Sequence, residues 1–301
     1  MRETTCAMTI TFRPDTDIVS RLEALRPHAA QVVVVDNSGQ GSPEQAFLEK
    51  ICTENGYHLI RNKENLGVAA ALNQGIGWAL TQGFEWMLTM DQDTVALPPL
   101  LQTLRDALRD CPFADRVGIV GSPVNNRGYP KRLAASLTIG DAYHEVKTVI
   151  TSGSLVRLST FKEIGPFRDE LFIDCVDCEF CLRMRQRGYH VIEANEFGME
   201  HAIGTPSQHR FLWKRPNASN HSPLRRYYIA RNRLTMCMEY FWRETRWSGF
   251  VMKAQIKEMI FVLLYETEKW AKLRATALGF WHALIGRSGR LIDKSWLQRS
   301  T

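Results

Sequence analysis

The sequence lacks both glycine-rich nucleotide fingerprints: neither GxGxxG nor GxxxxGK[ST] occurs in its 301 residues, and the Gly39-Gln40-Gly41 turn is too short to stand in for either. Ordinary dinucleotide-binding dehydrogenases and P-loop enzymes therefore lose most of their weight. No apolar run approaches the ~20 residues needed to cross a bilayer; the longest is Met259 to Tyr265. No internal repeat or low-complexity tract is present. Cysteines 6, 52, 111, 175, 178, 181 and 237 form an odd set without disulfide-framework spacing, and no signal-peptide pattern precedes the first apolar segment. A reducing, cytoplasmic protein is expected. With 12 Pro and 20 Gly, 45% hydrophobic and 23% charged residues, collagen-like and disordered readings are excluded. The length suits one large α/β domain with a smaller attachment.

The net charge of +6 conceals a division. Residues 1–209 hold 20 Lys+Arg against 26 Asp+Glu, whereas residues 210–301 hold 18 against 6. A basic end favours an anionic partner, such as a phospholipid surface, a diphosphate substrate or nucleic acid. The plainer alternative is a solvated basic face. No nucleic-acid-binding module is recognisable, so nucleic acid is not expected as a partner.

Short stretches rich in Val, Ile, Thr and aromatics predict strands at Cys6–Phe12, Gln31–Val35, Tyr57–Ile60, Trp86–Met90, Val117–Val120 and Thr148–Val156. Helical stretches intervene. Thr16–His28 places Ile18, Leu22 and Leu25 at helical spacing, and Pro43–Asn55 follows Ser42, a good N-cap before a tolerated proline. This alternation predicts an α/β fold with a mostly parallel central sheet and helices on both faces. Beyond about residue 222 the pattern changes to long helices: Pro223–Arg243, Ser248–Lys272 and Thr276–Ile285. The expected division is an α/β domain over 1–222 and a basic helical extension over 223–301. On the middle helix, Ile256, Ile260, Leu263 and Leu264 are expected to share a face without Lys253, Lys257 and Glu258. A basic amphipathic helix suits an anionic membrane surface or packing back onto the α/β domain.

Ligands of such sheets bind at the carboxyl ends of the strands, and several polar residues fall there. Trp86 to Asp93 is an apolar strand ending in Asp91-Gln92-Asp93, two hard oxygen ligands suited to Mg or Mn, which would in turn hold a diphosphate. Alternatively, Asp93 caps a helix and Asp91 belongs to a turn. Thr11 ends the first strand, and Asp36-Asn37 ends the second, where a nucleobase or ribose would be bound or an Asx turn formed. Asn65 to Gly75 opens a helix whose small residues permit close backbone approach, with Asn73 a further candidate to reach a nucleotide. In Phe172 to Arg183, aromatic and aliphatic residues deliver Asp174, Asp177 and Glu179 to a helix start. A partly desolvated carboxylate there suits a general base, and Asp177 is the candidate. Cys175, Cys178 and Cys181 lack the fourth thiolate of an iron-sulfur site and read as small hydrophobes. His201 follows downstream; beside an Asp pair, its imidazole suits completion of a metal site.

Taken together, Thr11, Asp36-Asn37, Asn65 to Gly75, Asp91-Gln92-Asp93, Thr151-Ser152-Gly153, Phe172 to Arg183 and His201 resemble the family-2 inverting glycosyltransferases of the GT-A fold. Within that family the likeness is to bacterial rhamnosyltransferases, with Tyr227-Tyr228 and Arg231-Asn232 also typical. The resemblance covers about residues 5–240. It implies nucleotide contacts at Thr11, Asp36, Asn65, Asn73 and Asp91; a divalent ion, Mg or Mn, at Asp91, Asp93 and His201; and a general base at Asp177. It further implies a nucleotide-sugar donor, dTDP-L-rhamnose, and a lipid-linked or saccharide acceptor for polysaccharide or lipopolysaccharide synthesis. The place of action would be the cytoplasmic face of the bacterial inner membrane. Ala70-Ala71 stands where many relatives carry glycines. Two alternatives are a nucleotidyltransferase that makes a nucleotide sugar, for which Thr11-Phe12-Arg13-Pro14 is a poor phosphate loop, and a noncatalytic membrane-associated binding protein.

Overall fold

β-Branched residues set the middle of the sheet. In the computed structural model, which describes residues 2–126, 142–201, 207–208, 217–218 and 220–292, strands β1 (Thr5–Thr11), β2 (Gln31–Asp36), β3 (His58–Arg61) and β4 (Trp86–Asp91) run parallel in the order β3-β2-β1-β4. Val32 to Val35 are all buried, as a strand covered on both faces requires. The later strands are β5 (Thr94–Ala96), β6 (Val117–Gly121), β7 (Asn125–Asn126), β8 (Tyr143–Glu145), β9 (Ser154–Arg157), β10 (His190–Ala194) and β11 (Met199–His201). β9 lies antiparallel between β4 and β6, β10 runs parallel to β6, and β8 closes the edge antiparallel to β10. The eight-stranded order is β3-β2-β1-β4-β9-β6-β10-β8. A small second sheet places β11 between β5 and β7.

The helices of this part are α1 (Ile18–Leu25), α2 (Pro43–Asn55), α3 (Val68–Thr81), α4 (Leu100–Arg109), α5 (Leu158–Ile164) and α6 (Val176–Gln186). α2 has the expected bounds and cap: Ser42 Oγ accepts the Gln45 N–H at 3.2 Å. α1 is shorter than Thr16–His28. It passes at Arg26 into a 3₁₀ turn that ends at His28, because Pro27 has no N–H to continue the α-helical ladder. Ala69 and Ala71 on α3 are fully buried, so the small residues here serve packing. The expected strand Thr148–Val156 exists only from Ser154. Before it the chain turns at Gly153 (φ +69°), whose N–H donates to Thr89 O at 2.8 Å.

The chain divides into two compact units, Met1–Arg168 with Asp177–Ala202, and Asp169–Val176 with Ile203–Thr301. The second contains α7 (Pro223–Tyr240), α8 (Thr245–Tyr265) and α9 (Lys269–Leu284). α9 packs on α7 through small residues. Ala271, Ala275, Gly279 and Ala283 are buried, and a Cβ on Gly279 would stand 2.5 Å from Tyr227 O. Large side chains go the other way, leaving Trp270 and Trp281 exposed. Arg231 and Asn232 on α7 hold the Asp169–Val176 segment: Asn232 Nδ2 donates to Leu171, Ile173 and Asp174 carbonyls, and Arg231 Nη2 to Glu170 and Leu171. These bonds support left-handed backbone at Phe172, Asp174 and Cys175, each costing about 1–3 kcal/mol of strain.

The last two helices break elsewhere than expected, at Glu266 to Glu268 rather than after Lys272. Glu266 leaves the helix in extended conformation, and its buried carboxylate accepts from Arg226 Nη2 at 2.7 Å, Lys272 Nζ at 2.8 Å and the Asn220 N–H at 3.2 Å. Three charge-assisted partners outweigh one more helical turn. The face of α8 also differs from expectation. Trp247, Ser248, Gln255 and Val262 point inward, while Ile256, Ile260, Leu263 and Leu264 are exposed, as are Lys253 and Lys257. On a helix the two lysines fall on this same outer side. Among the described residues no helix is long and apolar enough to span a membrane.

Candidate active site

The acidic turn sits at the carboxyl end of β4, where Ser152, Gln92 and Arg21 bond it. The Asp91 N–H donates to Ser152 Oγ at 3.1 Å, and Ser152 in turn donates to Thr94 Oγ1 at 2.8 Å. Gln92 Oε1 accepts the Phe12 N–H at 2.7 Å and its Nε2 donates to Phe12 O at 3.3 Å, tying β4 to the end of β1; Arg21 Nη1 donates to Gln92 O at 3.0 Å. Asp91 is half-buried and Asp93 exposed.

One strand over, Thr11 and Asp36 meet. Thr11 Oγ1 donates to Asp36 Oδ1 at 3.0 Å, which also accepts the Ser38 N–H at 3.1 Å and Ser38 Oγ at 2.6 Å, while Gln45 Nε2 reaches Oδ2 at 3.3 Å. The carboxylate is completely buried, so it organises the turn after β2. Asn37 Nδ2 donates to Gly67 O at 3.1 Å, and its Oδ1 accepts from Asn62 Nδ2 at 2.9 Å; Asn62 and Gln74 exchange two amide bonds. Asn65 Oδ1 accepts the Gly67 N–H at 2.9 Å, an Asx turn at the start of α3. Asn73 exchanges two bonds with the Phe167 backbone, at 2.8 and 2.9 Å.

Asp177 lies in the first turn of α6, half-buried, where the helix dipole favours a carboxylate. Its Oδ1 accepts the Cys178 N–H at 2.8 Å. Glu179, buried, is committed to Arg183 at 2.9 and 3.0 Å, and Arg183 also caps Ile164 and Pro166 carbonyls. All seven cysteines are free thiols. Burial pushes the Cys181 thiol up to about 12, so it stays protonated near neutrality.

The Val149–Gly153 segment touches both acidic places. Its Ser152 bonds the acidic turn, and its Val149 O accepts from Cys181 Sγ at 3.9 Å, one helical turn beyond Asp177. The third place is joined through strand pairing: His201 is opposite Thr94 in the β11–β5 register, so its backbone lies beside the residue after Asp93. The His201 side chain falls outside the described residues. Ser38, Asn62, Gln74, Gln92 and Ser152 were not among the expected site residues. For Ser38, Asn62, Gln92 and Ser152 the signal is position, each lying in or just beyond a turn at a strand end; Gln74, inside α3, carries no such signal.

Among the described residues no group of three or more His, Cys, Asp or Glu side chains is placed to hold a metal by itself. Mg and Mn at diphosphate sites need only one or two carboxylates plus the substrate's own oxygens. Asp91 and Asp93, hard donors two residues apart at the end of β4, fit that kind of site.

Residues 17–165 match the family described as Glycosyl transferase family 2. The chain carries a family-2 glycosyltransferase domain. Over 277 residues it is 28% identical to the dTDP-rhamnosyl transferase RfbF of Shigella flexneri, covering 87% of this chain and 86% of that one. Among solved structures it is similar to residues 1–349 of S. aureus TarS, with TM-score 0.54 and 15% identity over 94% of this chain and 81% of the other. It also resembles GalNAc-T7 crystallised with UDP, GalNAc and Mn²⁺, at TM-score 0.53 and 14% identity over 66% of this chain and 44% of that one. The present chain thus spans less than half of GalNAc-T7. At such identities the structural likeness establishes the GT-A fold, with its central mostly parallel sheet. The glycosyltransferase also has the helical C-terminal region expected from its sequence.

Proposed function

We propose that this glycosyltransferase moves L-rhamnose from dTDP-L-rhamnose to a hydroxyl of a bacterial cell-surface glycan precursor, inverting the anomeric configuration in one displacement. The observation that carries the reading is the Val149–Gly153 segment, bonded at Ser152 to the turn of Asp91 and Asp93 and at Val149 to the helix of Asp177. It supports a common cleft for the three acids. The Asp177 carboxylate takes the acceptor hydroxyl proton as that oxygen bonds to the anomeric carbon, while the bond from that carbon to the diphosphate breaks. The nucleotide lies across the carboxyl ends of β1 and β2, beside Thr11 and Asp36, with Asn65 shaping the start of α3 and Asn73 tying that helix to the Phe167 backbone. Asp91, Asp93 and His201 would hold a divalent ion, Mg or Mn, which supplies charge neutralisation for the leaving diphosphate. Donor identity is supported by the dTDP-rhamnosyl transferase relative.

The acceptor of this reading is a lipid-linked glycan, as in lipopolysaccharide assembly, met on the cytoplasmic face of the inner membrane. The basic C-terminal part supports an anionic surface as partner. The test is a panel of nucleotide sugars incubated with the full chain and Mn or Mg, with and without lipid-linked acceptors, reading nucleoside diphosphate release. Acceptor-dependent release from dTDP-L-rhamnose is expected. Pyrophosphate release from a nucleoside triphosphate and a sugar phosphate would instead establish a nucleotidyltransferase.

A further inference from the structure

α8 and α9 sort their side chains in reverse of an ordinary surface helix. α9 buries Ala271, Ala275, Gly279 and Ala283 and exposes Trp270 (78%), Trp281 (58%) and Leu284 (64%). α8 buries Ser248 and Gln255 beside Trp247 and Val262, and exposes Phe250, Ile256, Ile260, Leu263 and Leu264. Soluble surfaces carry scattered apolar residues, but not large side chains repeated along two successive helices.

The charges are sorted as well. Between Thr245 and Ile285 there are three acids. Glu258 pairs with Arg226 and Arg233, and buried Glu266 pairs with Arg226 and Lys272, leaving Glu268 as the one exposed acid of the stretch. Lys253, Lys257, Lys269 and Arg274 are exposed among the apolar side chains. An outer surface that combines tryptophans, aliphatic residues and cations while two of its three acids are paired with α7 or buried complements an anionic lipid interface. There the rings and aliphatics enter the headgroup boundary and the lysine stems reach back to phosphate.

We propose that the outer faces of α8 and α9 are a docking surface for an anionic phospholipid bilayer. This deepens, and takes its purpose from, the reading of a transferase that acts on a lipid-linked acceptor, but it is measured independently of transfer. The experiment uses the full chain with sedimented vesicles of phosphatidylcholine, with and without phosphatidylglycerol, at low and high salt. The variants are Ile260→Glu with Leu264→Glu, Trp270→Glu with Trp281→Glu, and Lys253→Gln with Lys257→Gln. All six positions are exposed, and circular dichroism checks each fold. Binding only to phosphatidylglycerol vesicles is expected, weakened by salt, about 25-fold by the paired lysine change and at least as much by either paired glutamate change. Wild-type protein left in the supernatant, or variants that bind as well as wild type, would overturn the proposal. So would a dimer in sedimentation velocity that the glutamate variants dissolve, since the occupant would then be a second copy of the chain. Donor turnover is followed in parallel. Vesicle binding without sugar transfer would remove the transferase reading and leave this surface standing, and transfer to a soluble acceptor without vesicle binding would do the reverse.

Discussion

Ser152 Oγ accepts the main-chain N–H of Asp91 at 3.1 Å and itself donates to Thr94 Oγ1 at 2.8 Å, so one fully buried hydroxyl pins both ends of the acidic turn. Replacing it with alanine leaves a buried N–H without that acceptor, at a cost of about 1–3 kcal/mol. Ser152→Ala is therefore expected to lower the urea midpoint and to weaken Mn²⁺ binding by calorimetry. Unchanged stability would show that the hydroxyl does not hold the turn.

Asp177 sits where a carboxylate is favoured by the helix dipole and half shielded from water. Asp177→Asn keeps the shape and removes the proton acceptor. Turnover is expected to fall by about 10²–10⁴-fold, with the dissociation constant for dTDP-L-rhamnose unchanged. Near-normal turnover would remove Asp177 from the mechanism.

The metal proposal is checked by removal. EDTA is expected to abolish transfer and Mn²⁺ or Mg²⁺ to restore it, and Asp93→Asn should raise the metal concentration needed for half-activity by at least about tenfold, the loss of one of at most two carboxylate ligands. Full activity in chelator would sink the assignment of Asp91 and Asp93 as ligands.

What was legible in the sequence depended on local information. The valines of β2 and the Ser42-Pro43 start of α2 declare themselves through composition and capping within a few residues. Asp91-Gln92-Asp93 stands out because it ends an apolar strand. Other features depend on partners far along the chain. Gly153 turns before β9 because its N–H meets Thr89, and α8 ends at Glu266 because Arg226 and Lys272 claim that carboxylate. Apolar spacing on α8 identified a face but not its direction. That direction follows from α7, whose Arg233 bonds Gln255 and Glu258 and whose Cys237 bonds the Ser248 carbonyl, and periodicity does not carry this information.

The charges around α7 make the C-terminal helices sensitive to acid. Burial alone would raise the Glu266 carboxyl, but the Lys272 bond and the Arg226 and Lys272 charges together hold it below its ordinary value. Burial, reinforced by Arg225 and Arg226, pushes His221 down from 6.5 to about 4. In both cases the unfolded chain takes up the proton first, so the native state loses stability as pH falls. The His221 loss runs from about pH 6.5 to 4, and the Glu266 loss begins below its ordinary value of 4.5. His221→Gln should flatten the thermal midpoint between pH 6.5 and 4, whereas Glu266→Gln should lower the unfolding free energy by about 3–5 kcal/mol at neutral pH by taking the carboxylate away from buried Lys272 and Arg226, the latter keeping only Glu258. A midpoint independent of pH in wild type would contradict both.

Gly279 sets how closely α9 approaches α7. Alanine in place of a mid-helix glycine ordinarily stabilises by about 1 kcal/mol. Here the added Cβ would stand 2.5 Å from Tyr227 O, 3.0 Å from Arg231 N and 3.1 Å from Ala230 Cβ. Two of these are backbone atoms of α7, which no rotamer change can move. The helices must separate, and overpacking of this kind costs about 1–3 kcal/mol. It also pulls at the Tyr227 hydroxyl bond to His282 Nδ1, 2.7 Å long. The cost exceeds the propensity gain, so Gly279→Ala is expected to lower the thermal midpoint, and Gly279→Val to lower it further because branching at Cβ adds bulk at the same contact. Gly249 on α8, where an added Cβ meets nothing within 4 Å, is the control: Gly249→Ala should raise the midpoint. If both alanine variants stabilise, α7 and α9 are not held together at this glycine.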